Sequence, residues 1–275
     1  MREGRVAVME NIKGRFSIRE YPVPKVKEGT ILCKIDLCGV CGTDAHTFLG
    51  HFENVPVPLG LGHEISATII ELGKGVEEDY LGKSIKEGDR ITLVPAIHCK
   101  KCYYCSIAKT PSKCMHMISY GFMNPEDEPH FICGYADYIY LYHPDTEFFK
   151  IESPAERTVF AEPLAIAIHA VERSKLKVGD TAVIIGSGAI GLLTLICAKL
   201  AGASRTVVIG RRRKKRLELA KKFGADITIN LEEIPDIEER IEIVKQVSTT
   251  GYGADVVFEC AGVPLSLIHI SEPTR

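Results

Sequence analysis

The stretch "TAVIIGSGAIGLLTLICAKLAG", residues 181–202, restricts the possible folds more than any other part of the chain. A short apolar run is followed by a glycine-rich turn and then a helical run. A strand apolar on both faces must be covered on both faces, as in a parallel sheet packed between helices. The pattern then repeats: "RTVVIG" precedes "KKRLELAKKFG", "DITIN" precedes "IPDIEERIEIVKQVS", and "ADVVFECAG" follows. This alternation predicts an α/β, doubly wound parallel-sheet domain over residues 154–264. Residues 1–153 follow a different pattern. Short strands such as "TILCKIDLCGV" and "ISATIIELG" are punctuated by "KEGT", "VPVPLG" and "KEGDR", which predicts a β-rich domain. With 275 residues, each half can bury its own core.

Gly186, Gly188 and Gly191, with Ile190 before the last, spell G-x-G-x-x-G between strand and helix. The first glycine suits a tight turn, the second a close approach to a pyrophosphate, and the third close packing of helix on strand. The helix N-terminus then faces the phosphates with free N–H groups. These residues predict dinucleotide binding. An NAD-preferring domain places an acidic residue at the end of the second strand, for the ribose 2′-OH. Here Gly210 is followed by Arg211. A small residue and a guanidinium suit a 2′-phosphate, so NADP(H) is expected over NAD(H), with Arg211 as the main contact and Arg212 as the second.

Arg211 opens a run of six cations in a chain whose formal net charge is −2. Arg213, Lys214, Lys215 and Arg216 read as a solvated helix face. The near-neutral balance argues against a nucleic-acid partner. No apolar run approaches the ~20 residues that span a bilayer, and the first residues lack a secretory apolar core. A cytoplasmic protein without a membrane partner is expected.

The ten cysteines are many for a reducing compartment. Cys99, Cys102, Cys105 and Cys114 form C-x2-C-x2-C-x8-C, and four thiolates this close can close a tetrahedral structural zinc site. A second set is dispersed: Cys41, Thr43, Asp44 and His46 in "CGVCGTDAH", His63 and Glu64 in "GLGHE", and Glu162 in "FAEPLAIAIHA". One Cys, one His and one carboxylate would hold a metal with a fourth position open for catalysis. Taken singly, each residue also has a plain structural reading. Cys33 and Cys38 read as small buried hydrophobes, and His169 as a core or capping histidine.

In these motifs and their order the chain resembles the zinc-containing medium-chain alcohol/polyol dehydrogenases. "CGVCGTDAH", "GHE" with Gly73 and Val76 beyond it, "KEGDR", the four-cysteine loop, "EPLAIAIHA" and "VGDTAVIIGSGAIG" carry the resemblance. It implies a GroES-like catalytic domain followed by a Rossmann domain, with the active site in the cleft between them, and two zinc ions per chain. It also implies catalytic zinc on Cys41, His63 and Glu162, with Glu64 beside the metal and able to exchange as a ligand. By the same resemblance Asp44 orients the His63 imidazole, while Thr43 and His46 pass the substrate proton to water. The substrate would be an alcohol or its carbonyl, and the assembly a homodimer or homotetramer. Glu162, where many alcohol dehydrogenases have cysteine, points to the polyol and sugar branch. Ala67 replaces a family glycine, and the last gap of the cysteine loop is one residue longer than usual.

Residues 265–275, "LSLIHISEPTR", match a translated sequencing-library adapter and no dehydrogenase. The natural sequence is therefore expected to diverge after Pro264, leaving the Rossmann sheet incomplete and the 275-residue chain poorly folded or inactive. Other readings are a threonine or amino-alcohol dehydrogenase, a zinc-free NADPH enoyl or quinone reductase on the same fold, and a non-catalytic NADP-sensing or nucleic-acid-binding protein.

Overall fold

The strand Ile31–Gly39 begins with three buried residues and pairs antiparallel with Glu64–Leu72 along most of its length. These two lie inside a five-stranded sheet ordered Tyr138–Leu141, Ile31–Gly39, Glu64–Leu72, Arg90–Leu93, Phe148–Lys150. Ile31, Cys33, Ile65, Ala67, Ile69, Ile91 and Ile139 fill its core. The methyl of Ala67, at the position of the family glycine, is fully buried there. A second antiparallel sheet runs Phe16–Pro22, Glu3–Met9, Leu59–Leu61, Phe122–Met123. The structure, a computed structural model, describes residues 2–211 and 213–262. Arg212 and the adapter-like segment 265–275 lie outside the described residues.

The chain divides into two compact units, Met1–Glu162 and the residues from Pro163 on. The first is the β-rich unit just described. In the second, four parallel strands are ordered Ile227–Asn230, Arg205–Gly210, Thr181–Ile185, Val256–Glu259, which in chain order is 3-2-1-4. That is the Rossmann arrangement around its first strand. Every residue of Thr181–Ile185 is buried, as its apolar run predicts. On one face Ile184 and Val208 pack against Leu192, Leu195 and Ala198 of the helix Ala189–Leu200. On the other, Val183, Ile185, Val207 and Ile229 pack against Ile243, Val244 and Val247 of the helix Ile237–Val247. Two apolar faces thus explain why the sequence shows unbroken runs instead of alternation. Among the described residues, no helix is long and apolar enough to cross a membrane.

Ile184 is fully buried. Truncating it to alanine should cost about 3 kcal/mol of stability, measured by chemical denaturation. A change under about 0.5 kcal/mol would contradict the central place of this strand.

Candidate active site

The helix Gly42–Phe48 begins at Cys41, which takes the N-cap position in extended backbone. A reciprocal capping box forms there. The Cys41 sulfur accepts from the Thr43 N–H at 3.5 Å, and Asp44 Oδ2 accepts from the Cys41 N–H at 2.9 Å. The sequence "CGTD" therefore organises its own end of the site. Asp44 also reaches outward. Its Oδ2 accepts from the Tyr135 hydroxyl at 2.8 Å, and its Oδ1 accepts from the Gly62 N–H at 3.4 Å.

His63 follows Gly62 and is buried. Its Nδ1 lies 3.6 Å from Asp44 Oδ1, which is beyond hydrogen-bond length, and this nitrogen has no hydrogen-bond partner. The link is an electrostatic one that turns Nδ1 toward the carboxylate and leaves Nε2 free to ligate. Cys41, His63 and Glu64 each bring a ligand atom into one group in which all lie within 4.8 Å of one another. Gly39 makes this possible, because a Cβ there would stand 2.0 Å from Glu64 Oε2. The Glu162 carboxyl does not join that tight group, although it is near enough to feel the charges of His63, Glu64 and Asp44.

The electrostatics match a metal-ligand set without its cation. Burial opposes charge on His63, but Asp44 and Cys41 outweigh it and push the imidazole up to about 10. The proximity of His63 holds the Cys41 thiol below its usual range. Burial pushes both Glu64 and Glu162 up. For Asp44, burial works upward, yet His63, Tyr135 and the Cys41 N–H together hold it low. A dication would relieve the crowding of acidic groups, and a Cys-His-carboxylate set suits zinc.

Cys99, Cys102, Cys105 and Cys114 form the second group within 4.8 Å. The Cys102–Cys105 and Cys99–Cys105 sulfurs are 3.5 and 4.0 Å apart, too far for disulfides, and all ten cysteines are free. Tetrahedral ZnS4 with bonds near 2.3 Å needs sulfurs about 3.8 Å apart. Backbone N–H groups donate to the sulfurs of Cys99 and Cys114, both at 3.4 Å. Backbone donors hold Cys102 down to about 6 and lower Cys114 as well. The donor set fits a closed zinc site, and the gap between Cys105 and Cys114 contains the short 3₁₀ turn Pro111–Lys113.

In the second unit Gly186 has φ +112°, and a Cβ on Gly191 would stand 1.9 Å from the Gly186 carbonyl oxygen. Ile190 lies in the first turn of the helix that Gly188 caps. A Cβ at Gly188 would meet only the tip of Arg216, whose Nη1 would be 3.8 Å away. The Arg216 guanidinium thus lies near Gly188, on a residue that is itself exposed. Lys214, by contrast, is spent on a surface ion pair with Glu233 at 2.9 Å. Gly210 does not leave an open space, because the Ser187 and Leu217 side chains close against it. Arg211 is exposed at the strand end. Tyr135 belongs to the site without being visible in the sequence. It lies 91 residues from the Asp44 it bonds, and nothing local marks it.

The family model for the alcohol dehydrogenase GroES-like domain matches residues 27–153, and that for the zinc-binding dehydrogenases matches residues 189–270. A sorbitol dehydrogenase from Halalkalibacterium halodurans is 34% identical over 90% of this chain and 67% of its own length. A D-arabitol-phosphate dehydrogenase from Enterococcus avium is 33% identical over 88% of this chain and 64% of its own. The chain thus spans about two thirds of the length of these curated relatives. An alcohol dehydrogenase structure from Thermotoga maritima superposes with TM-score 0.90 at 31% identity, covering 100% of this chain and 75% of that one. A zinc-binding dehydrogenase from Sinorhizobium meliloti bound to NADP gives 0.81 at 30%, covering 97% and 72%. The chain belongs to the zinc-containing medium-chain alcohol/polyol dehydrogenases, a family of oxidoreductases, with a GroES-like domain and a Rossmann domain.

Two outcomes follow from this geometry. Zinc must displace the proton that His63 holds up to about 10, so its affinity for this site should rise at least about tenfold per pH unit between about pH 7 and about pH 9. Chelator competition measures this, and a pH-independent affinity would refute it. Gly39→Ala should drive Glu64 out of the cluster and lower metal occupancy there while the four-cysteine site stays full. Metal analysis of purified protein checks it.

Proposed function

We propose that the protein oxidises a polyol, sugar or secondary alcohol, or reduces the corresponding carbonyl, using zinc and preferentially NADP(H). The observation that carries this reading is the Cys41–His63–Glu64 cluster. It offers three ligands, one short of a tetrahedron, next to Thr43. A zinc-free reductase would have no use for it. Glu64 is the resting carboxylate ligand in this reading, with Glu162 the nearby group that can exchange with it, and Asp44 the residue that orients His63. The four-cysteine loop would hold the second, structural zinc.

A zinc ion there would supply Lewis acidity toward the alcohol oxygen, and a nicotinamide would supply the hydride acceptor. The chain's own residues do the rest. Thr43 Oγ1 lies 3.6 Å from the Cys41 sulfur, so its hydroxyl is close enough to the ligand set to receive the substrate proton. His46 stands three residues further along the same helix, on the same face, and takes the proton onward. Phe122, whose ring centre is 5.5 Å from that of His63, lines a cavity of about 310 Å³ together with Thr47, Glu53, Asn54, Val55 and Leu59. Its mixture of polar and apolar walls suits a chain of carbons bearing hydroxyls. Phe48 is turned away, stacked on Phe16 at 5.8 Å. Sorbitol and arabitol-phosphate dehydrogenases among the relatives support the polyol class.

For the cofactor, the glycine loop would receive the pyrophosphate at the helix N-terminus, with Arg216 above Gly188 as a phosphate contact. Arg211 would meet a 2′-phosphate, and the NADP-bound relative supports that preference.

The test is a screen of polyols, sugars, amino alcohols and secondary alcohols with both cofactors, on the purified protein. Turnover of a hydroxylated substrate with two zinc ions per chain is expected. Reduction of enones or quinones by protein free of zinc would overturn the reading. Arg211→Asp should move the NADPH-to-NADH preference by about tenfold or more, and an unmoved ratio would remove Arg211 from the assignment.

A further inference from the structure

We propose that His51 extends the proton path of this site to solvent, as a second imidazole through which His46 delivers the substrate proton. The inference rests on the alcohol–carbonyl reading above and adds a residue to it.

The geometry begins with the end of the helix Gly42–Phe48. Leu49 is its C-cap, and Gly50 follows with φ +68°, a left-handed conformation that suits glycine. The Gly50 N–H donates to the Thr47 carbonyl at 3.1 Å, and the His51 N–H donates to the His46 carbonyl at 3.0 Å. This pair of bonds defines a Schellman turn, which folds the chain back over the last helical turn. His51 is thereby returned to the residue it caps. The two rings stand 5.0 Å apart between centroids, and His46 Nδ1 lies 2.7 Å from His51 Nδ1.

At that separation the two nitrogens share a single proton, one donating and the other accepting. The tautomers are therefore coupled. When His46 donates through Nδ1–H, its Nε2 is a free base and His51 carries its proton on Nε2. Exposure follows the same direction: Thr43 and His46 are half-buried, while His51 is exposed. Phe52 lies edge-on to His46, with ring centres 6.5 Å apart, and helps to fix that ring.

The transfer balances without any further reactant. The alcohol O–H gives its proton to the Thr43 oxygen as the Thr43 hydroxyl proton passes to His46 Nε2. The His46 Nδ1 proton moves to His51 Nδ1, and His51 releases its Nε2 proton to water. One proton enters and one leaves, and the path carries no electrons. The hydride leaves the carbinol carbon separately. His51 acts through His46 and is a positioning and relay residue, which never touches substrate.

The test is His51→Ala in the purified protein. This exposed side chain can be removed without opening a core. We expect kcat for alcohol oxidation to fall about tenfold with KM unchanged, and free imidazole to restore it relative to wild type in the same buffer. Long-range ¹H–¹⁵N spectra should show His46 and His51 in complementary tautomers in the wild type, with His46 released from its tautomer in the variant. An active wild type whose His51→Ala variant keeps its kcat overturns the relay alone. A loss that imidazole fails to restore, or one accompanied by a raised KM, assigns His51 a structural role and also overturns it. A wild type that turns over no alcohol overturns the functional reading, and the relay with it.

Discussion

Asp44 gathers three separated parts of the β-rich unit onto one carboxylate. It takes the N–H of the N-cap Cys41, the hydroxyl of Tyr135 and the N–H of Gly62, and it faces the imidazole of His63. A buried carboxylate alone would be costly, but one that accepts several donors and faces a cation is held ionised in place. Each donor it satisfies would otherwise cost about 1–3 kcal/mol as an unpaired buried group. The ligand atoms of Cys41, His63 and Glu64 converge because the backbone segments that bear them meet at this residue.

The same small helix carries both ends of the proposed site. Its N-terminus places the Cys41 thiol and Thr43. Its C-terminus, closed by the turn at Gly50, places two histidines in contact. This seven-residue helix separates Cys41 at its N-cap from the His46–His51 pair at its other end, of which only His51 is exposed. In the other unit the helix after the glycine loop performs a comparable local task. Packing against the strand requires Gly191 to have no side chain, and among the described residues the Arg216 guanidinium is the neighbour that a Cβ on Gly188 would meet.

Features built from neighbours in the chain are legible in the sequence. The G-x-G-x-x-G turn, the four-cysteine loop and the "CGTDAH" segment each put their chemistry within a few turns of backbone, where spacing dictates geometry. Unbroken apolar runs announce the parallel sheet because two-sided burial removes alternation. Features that depend on convergence from afar are not legible. Nothing in "GYADY" marks Tyr135 as the partner of Asp44. Spacing cannot rank Glu64 against Glu162 as the nearer carboxylate. The sequence alone does not show that a side chain at Gly210 would meet Ser187 and Leu217, which come together with it only in the fold.

The cationic run at residues 211–216 shows where the division falls. Its position after the second strand, a matter of sequence alone, puts it in the Rossmann domain. Only the folded helix decided that Arg216 lies near Gly188 while Lys214 is tied to Glu233. Likewise the sequence by itself determined the two-part architecture and the ligand types, because periodicity and local spacing follow from backbone geometry. Which carboxylate joins Cys41 and His63, and the pairing of His46 with His51, were decided by tertiary structure. Side-chain convergence depends on turns and packing that no single segment encodes.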